Sequence, residues 1–285
     1  MTDQKLIDYI HQCREFKISD EDIVRNLLSV GWSHNLIDSA FAEISLKFAA
    51  AKEILIAINN LSKEYELSKN IKTPALKNIN LDIYKGEFLS ITGHSGSGKT
   101  TLLNLIGLID FPTSGEILVN NENIHKFKEK EKVEYRLKFA GFIFQFFNLL
   151  DNYTALENII FQLRLQGYGR RKSKEKAKEI LKFLGLETKA NSYPKELSGG
   201  EQQRAAVGRA LAKDSFLILA DEPAAHLDSK NTQNLISLLR EVNVKFKKTI
   251  ILVTHELNYA KQADRTVELK DGAILEILQN SSPHI

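Results

Sequence analysis

The stretch GHSGSGKTT, Gly93 to Thr101, constrains this chain more than any other segment. It satisfies the pattern G-x-x-x-x-G-K-[ST] and stands between the apolar runs EFLSIT and LLNLIGLI. A strand, a glycine-rich turn and a helix in that order place a helix start at a strand end. There, unpaired backbone N–H groups and the positive end of the helix dipole face an anion. In such a loop Gly93, His94, Ser95, Gly96, Ser97 and Gly98 curl their backbone around phosphates. Lys99 supplies a point charge to the outer oxygens, the Thr100 hydroxyl is placed for Mg²⁺, and Thr101 continues the first helical turn. A plain solvent turn would leave the lysine and the flanking strand unexplained.

Downstream and upstream patterning says what surrounds this loop. Strand-like runs ILIAINNL, ALKNINLDI, EFLSITG and GEILVN are followed by a helical middle, from TALENIIFQLRL to KEKAKEILKFLGL. Alternation then resumes with FLILAD, the helix NTQNLISLLREVNVKF, TIILVTH and a last pair near RTVELKDGAIL. Apolar strands separated by helices predict a parallel sheet covered on both faces. Two of these strands end in polar groups: Asp221 and Glu222 after FLILA, and His255 after TIILVT. Parallel strands share one carboxyl edge, so these residues are expected beside the phosphate loop. Asp221 is then placed to hold Mg²⁺ through water, Glu222 to polarise a water attacking the γ-phosphate, and His255 to contact that phosphate.

A chain of 285 residues has room for about two domains. Residues 1–46 read as three short helices, with Leu6, Ile7, Ile10 and Cys13, then Ile23, Val24, Leu27 and Leu28, then Leu36, Ile37, Ala40 and Phe41 at helical spacing. Ser19 and Ser33 stand at N-cap positions, Gly31 closes the second helix, and Trp32 is placed to pack across the bundle. A helical linker is expected at 47–53, the main domain at 54–278 with a helical subdomain at about 146–197, and a short polar tail at 279–285.

The single cysteine, Cys13, excludes an internal disulfide and fits a core position in a reducing compartment. The start MTDQKLIDYIHQCREF lacks a signal peptide's basic and apolar regions, and no apolar run approaches the ~20 residues that cross a bilayer. A soluble cytoplasmic chain is expected, with any membrane role exercised through a partner. Residues 1–50 hold 5 Lys and Arg against 8 Asp and Glu, whereas the remainder is mildly basic. That basicity suits work near anionic lipid and is too weak to argue for nucleic acid. The runs KFKEKEK, from Lys126, and RRKSKEKAKE, from Arg170, read as solvated faces.

LSGGEQQRAAVGRAL, residues 197–211, poses a problem. Ser198, Gly199 and Gly200 open an amphipathic helix, a second anion-binding geometry in a chain that already has one. Two copies packed head to tail resolve the duplication. The Ser198 and Gly200 of each copy would cover the γ-phosphate held by the other, so ATP joins the pair and hydrolysis opens it.

The order of phosphate loop, Gln145 in GFIFQFFNLL, LSGGEQQ, LADEP, Leu227–Asp228 and strand-end His255 resembles the ATP-binding cassette ATPases over residues 54–277. GEF, PTSGEI, GFIFQFFNLL, TALENI and EQQRAAVGRAL together resemble the subfamily of macrolide-exporter and lipoprotein-releasing ATPases. The resemblance implies an α/β P-loop fold of the cassette type with a helical subdomain, here preceded by the small three-helix bundle. It implies an ATPase that uses ATP and Mg²⁺, pairs with itself, and drives export or extraction through a separate membrane permease. Its place would then be peripheral, on the inner face of the cell membrane. The similarity to the cell-division cassette ATPase keeps an alternative open, an ATP-gated cytoplasmic switch.

Position by position, the resemblance implies that Tyr65 stacks on adenine, although a strand aromatic in the core is the other reading. Gln145 senses Mg²⁺ and links the site to the permease, and Asp228 contacts the second copy. Phe146 to Leu150 either line the groove for a permease helix or pack in the core. The bundle resembles ubiquitin-associated-like modules; it is either a simple appendage or an acidic docking module for a protein partner. EPAAHLD departs from the subfamily pattern, with Ala224, Ala225 and His226 where Thr, Gly and Asn are usual. Gly208 stands inside the signature helix where alanine is usual, at a cost of about 1 kcal/mol in isolation.

Overall fold

The computed structural model describes residues 4–15, 18–50, 53–68 and 71–280. Residues 51–52 of the expected linker and 281–285 of the expected tail lie outside the described residues. The chain divides between Glu53 and Ile54 into two compact units.

The first unit holds α1 (Gln4–Glu15), α2 (Asp20–Ser29) and α3 (His34–Ala50). Leu6, Ile7, Ile10 and Cys13 of α1 meet Ile23 and Leu27 of α2 and Ile37, Ala40 and Ile44 of α3 in one core. The Cys13 thiol is buried there. The Ser19 hydroxyl accepts from Asp22 N at 3.2 Å and so caps α2. At the other end Gly31 takes φ 96°, a left-handed value that suits glycine. Trp32 N then donates to Leu27 O at 3.1 Å, and the indole packs against the core. Helix α3 continues as one 17-residue helix through residues 47–50, where the sequence placed the start of a linker.

The second unit opens with β1 (Ile54–Ser68), β2 (Ile71–Tyr84), β3 (Phe88–Thr92), α4 (Lys99–Ile106), β4 (Ser114–Val119) and β5 (Glu122–Asn123). It continues with α5 (Glu129–Glu134), β6 (Ala140–Ile143), α6 (Ala155–Leu165), α7 (Arg170–Phe183) and α8 (Gly199–Ala212). It closes with β7 (Leu217–Asp221), α9 (Ser229–Phe246), β8 (Thr249–Val253), α10 (Leu257–Ala260), β9 (Arg265–Lys270) and β10 (Ala273–Gln279).

The larger sheet has the order β10-β9-β3-β8-β7-β6, parallel except for the β9–β10 hairpin. Its central strands are apolar throughout because both faces are covered. Leu89, Ile91, Leu217, Leu219, Ile251 and Val253 point to the face packed by α4 and the second sheet. The alternate residues Phe88, Ile218, Ala220, Ile250 and Leu252 point to the face covered by α6, α7, α8 and α9.

The expectation of a parallel sheet covers only the strands that helices separate. β1, β2, β4 and β5 form a second, antiparallel sheet in the order β2-β1-β4-β5. The reason lies in the connections. Two residues join β1 to β2 and two join β4 to β5, too short for a parallel crossover. In the β4–β5 turn Asn120 and Asn121 take φ 48° and 65°, the positive pair a tight hairpin needs.

Gly208 has a packing role that its helix propensity hides. A Cβ there would lie 2.8 Å from Leu184 Cδ1 and 2.9 Å from Ile159 Cδ1. The glycine lets α6 and the end of α7 close onto α8, which offsets the roughly 1 kcal/mol it costs the helix.

The bundle and the cassette unit each hold their own core. Deleting residues 1–50 is therefore expected to leave the cassette's melting temperature within about 2 °C of its value in the full chain. Differential scanning calorimetry of both chains checks this, and a larger fall would show that the bundle supports the cassette.

Candidate functional site

Strand register decides where the site lies. Ile91 of β3 pairs with Val253 of β8, and Val253 pairs with Asp221 of β7. The chain thus leaves all three strands at one level, delivering Gly93, Asp221–Glu222 and His255 to the same edge. One strand further out, Ile143 pairs with Ala220, so Gln145 leaves β6 at that edge as well.

The phosphate loop is seated directly on backbone. Gly93 and Gly98 take φ 142° and 100°. A Cβ on Gly93 would lie 2.2 Å from Leu269 O, and one on Gly98 would lie 2.5 Å from Ala75 O. Only glycine fits either place. From behind, Gly272 of the β9–β10 turn donates N–H to Ser97 O at 3.2 Å, while Lys77 N donates to Gly272 O at 2.7 Å. Lys99 is buried and donates to the carbonyls of Gly93 and His94, both at 2.9 Å, so its ammonium spans the loop mouth. The first intrahelical bond of α4 runs from Leu102 N to Gly98 O. The N–H groups of Lys99, Thr100 and Thr101 therefore have no partner within the helix. The buried Ser97 hydroxyl has no partner either. These donors gather at a helix start, the geometry that suits an anion.

Thr100 Oγ1 donates to Asp221 Oδ1 at 3.0 Å. Burial pushes the Asp221 carboxyl above the usual carboxylate range; the Thr100 bond opposes this, Glu222 adds to it, and Lys99 opposes it. Glu222 takes φ 42°, left-handed for a residue that precedes proline, and its N–H donates to Val253 O at 3.0 Å. That twist brings Glu222 Oε2 to 3.4 Å from His255 Nδ1. Tyr65 on β1 is 38% exposed, so it is not the core aromatic that the sequence also allowed.

A second cluster forms apart from this one. Ser198 caps α8: its Oγ accepts from Glu201 N at 3.3 Å, and its N–H donates to Glu201 Oε2 at 2.8 Å. The atoms nearest a Cβ on Gly199 belong to Leu227, Phe147 and His226, and those nearest one on Gly200 belong to Asn231. Asp228 caps α9 and accepts from Asn231 N and Nδ2, both at 2.8 Å. The Asn231 backbone N–H holds its carboxyl below the usual range. Asn231 thus joins Ser198–Gly200 to Asp228, and none of these contacts is with Gly93–Thr101 of the same chain. In the departing segment, the His226 ring lies 5.0 Å from that of Phe146, and Ala224 packs against the core.

The segment after Gln145 divides between the two readings of FFNLL. Phe146 is exposed, whereas Leu149 packs against the core. Sequence reasoning missed what holds it. Buried Asn158 accepts from Leu150 N at 2.8 Å and donates to Tyr153 O at 2.9 Å, and Arg209 donates to Asn148 O. Each is a polar residue within a largely apolar helical stretch, which is a usable signal.

Among the described residues no group of three or more His, Cys, Asp and Glu side chains is arranged to hold a metal ion. Mg²⁺ needs none, since it takes one or two protein oxygens and completes its shell with water and phosphate. The paired oxygens of Thr100 and Asp221 fit that demand.

A phosphate loop at the sheet edge, acidic and histidine strand ends beside it and a separate glycine-led helix start define a cassette-type P-loop ATPase. The chain belongs to the ABC transporter family, whose sequence model, described as ABC transporter, matches residues 76–225. It is 44% identical over 224 residues to the uncharacterized ABC transporter ATP-binding protein MJ1508 of Methanocaldococcus jannaschii, covering 79% of this chain and 99% of that one. It is also 44% identical to MJ0796 of the same organism, over 77% of this chain and 95% of that one. A dimeric structure of the MJ0796 cassette in a post-hydrolysis state, bound to ADP and Pi, superposes with TM-score 0.73 at 40% identity, covering 79% of this chain and 98% of that one. CbiO1 of Clostridium perfringens, part of the ABC transporter complex cbiONQ, gives TM-score 0.73 at 26% identity, over 80% of this chain and 89% of that one. No helix among the described residues is long and apolar enough to cross a membrane.

An acid whose pKa is raised by folding stabilises the fold below its ordinary pKa and loses that contribution as pH rises through the raised value. Once ionised, the buried Asp221 therefore costs the fold stability. Asp221→Asn is expected to raise the nucleotide-free melting temperature at pH 7 by about 2 °C. The gain should vanish in scans at acidic pH; a loss of stability at pH 7 would count against this charge balance.

Proposed function

We propose that this ATPase works as a head-to-tail homodimer that closes around two ATP molecules with Mg²⁺ and drives a separate transmembrane permease. The observation that carries it is the split between the two clusters: Gly93–Thr101, Asp221, Glu222 and His255 stand together, while Ser198, Gly199, Gly200 and Asp228 gather around Asn231 and Glu201 without a contact to that phosphate loop. A second copy brings the missing half to each phosphate loop, as a two-fold pair requires. The dimeric MJ0796 cassette structures support the pairing.

In this reading the loop amides from Gly93 to Thr101 and the Lys99 ammonium hold the phosphates, and Tyr65 stacks on adenine. Thr100 and Asp221 hold Mg²⁺ with Gln145 beside them; when bound, the ion neutralises charge on the phosphate oxygens. Glu222 accepts a proton from the water that attacks the γ-phosphate in line, and His255 steadies that phosphate. Ser198 and Gly200 of the second copy cap it, with Asp228 at the contact.

Exposed Phe146, two residues before the anchored Asn148–Leu150 segment, supports the FFNLL face as the permease contact. Export or extraction rests on the subfamily resemblance, and peripheral attachment at the inner membrane face follows from a permease partner. The bundle is an acidic docking module for a further protein.

Glu222→Gln is expected to retain ATP affinity within about threefold and to accumulate as a dimer in ATP-Mg²⁺, read by light scattering. Lys99→Ala is expected to weaken ATP binding by at least about tenfold. A Glu222→Gln chain that stays monomeric in saturating ATP-Mg²⁺ overturns the closed pair. Capture of that tagged variant from detergent-solubilised native membranes tests the permease: an equimolar multi-span protein supports it, and the chain's own dimer alone favours the ATP-gated switch.

A further inference from the structure

Tyr65 is not mounted on β1 alone. Its hydroxyl donates to Asp110 Oδ2 at 2.7 Å. The other oxygen, Asp110 Oδ1, accepts from Lys63 Nζ at 2.7 Å and from Phe111 N at 2.7 Å. Lys63 Nζ also donates to Phe111 O at 2.7 Å and lies 4.7 Å from the centroid of the Tyr65 ring. The Lys63 and Asp110 side chains are 12% and 26% exposed, well shielded for a charged pair. One residue pair further along, Thr113 N donates to Ser62 O and Glu64 N donates to Thr113 Oγ1, both at 2.9 Å. The loop after α4 is thus stitched to β1 at Ser62, Lys63 and Glu64 as well as at the tyrosine itself.

We propose that Lys63 and Asp110 form a clamp that positions Tyr65 as the base platform and links it to α4, the helix that begins at the phosphate loop. This deepens the proposed nucleotide site and rests on Tyr65 being the adenine-stacking residue. Lys63 occupies one face of the ring, leaving the opposite face for a base. The hydroxyl–carboxylate bond sets the ring's direction and removes freedom that stacking would otherwise have to quench. Asp110 follows α4 by four residues, and its N–H donates to Asn104 O at 3.3 Å, which ties the base platform to the helix that begins at the phosphate loop. Lys63 and Asp110 are positioning residues: they touch no phosphate and act through the ring.

The test compares ATP with inorganic tripolyphosphate, which engages the phosphate loop but has no base. KM and kcat for ATP, and the inhibition constant of tripolyphosphate, are measured on the full chain. Tyr65→Ala is expected to raise KM about tenfold. Asp110→Asn, and Tyr65→Phe, which keeps the ring and removes only its bond, are expected to raise KM about fivefold. In each, kcat should stay within about twofold and tripolyphosphate inhibition should be unchanged. If Tyr65→Ala raises KM while Asp110→Asn and Tyr65→Phe do not, the clamp is wrong and the stacking stands. If Asp110→Asn weakens tripolyphosphate as much as ATP, Asp110 serves the phosphate loop and the clamp is again overturned. If Tyr65→Ala itself leaves KM unchanged, the stacking reading fails and takes the clamp with it.

Discussion

Hydrogen bonds between β3, β8 and β7 hold Ile91, Val253 and Asp221 at one level, and the site exists only because of that alignment. A slip of one residue in either pairing would exchange the two faces of a strand. Leu219 and Ala220, for example, would trade the cores they fill. Two differently packed faces therefore enforce the register, and the register delivers the loop, the carboxylates and the histidine together. Packing far from the chemistry sets its geometry.

That delivery carries electrostatic and conformational costs confined to the sheet edge. Burial disfavours charge on Asp221, and Glu222 holds a left-handed backbone before a proline. The buried Ser97 hydroxyl goes unpartnered. A cation and an anion are the charges that would complement the first and third of these features. Such strain persists because the flanking strands are over-determined by their cores.

Sequence alone carried the phosphate loop, the strand-end groups and the helical bundle, because each rests on local chemistry: a motif with its flanks, a terminal carboxylate, a helical period. It failed where the answer depended on pairing between distant segments. The antiparallel sheet was hidden because ILIAINNL and ALKNINLDI read as strands whichever way they run; only the two-residue connection decides. Gly208 looked like a helix defect until Leu184 and Ile159 proved to stand against it. The support of Tyr65 by Asp110, and of the FFNLL segment by Asn158 and Arg209, spans tens of residues and leaves only scattered polar side chains as clues.

The β9–β10 hairpin turn, which bonds Ser97 from behind, has a consequence for synthesis. β3 lies between β8 and β9, both drawn from residues 249–270, and Gly272 completes the loop's support. As the chain leaves the ribosome, GHSGSGKTT emerges long before its flanking strands and backing turn, which wait for residues 249–279. The nascent loop must wait, and the contacts that finish it are among the longest in sequence. The shape of the loop is thereby coupled to synthesis of the β9–β10 hairpin: a product cut short before it would carry the whole phosphate motif and lack the scaffold that shapes it.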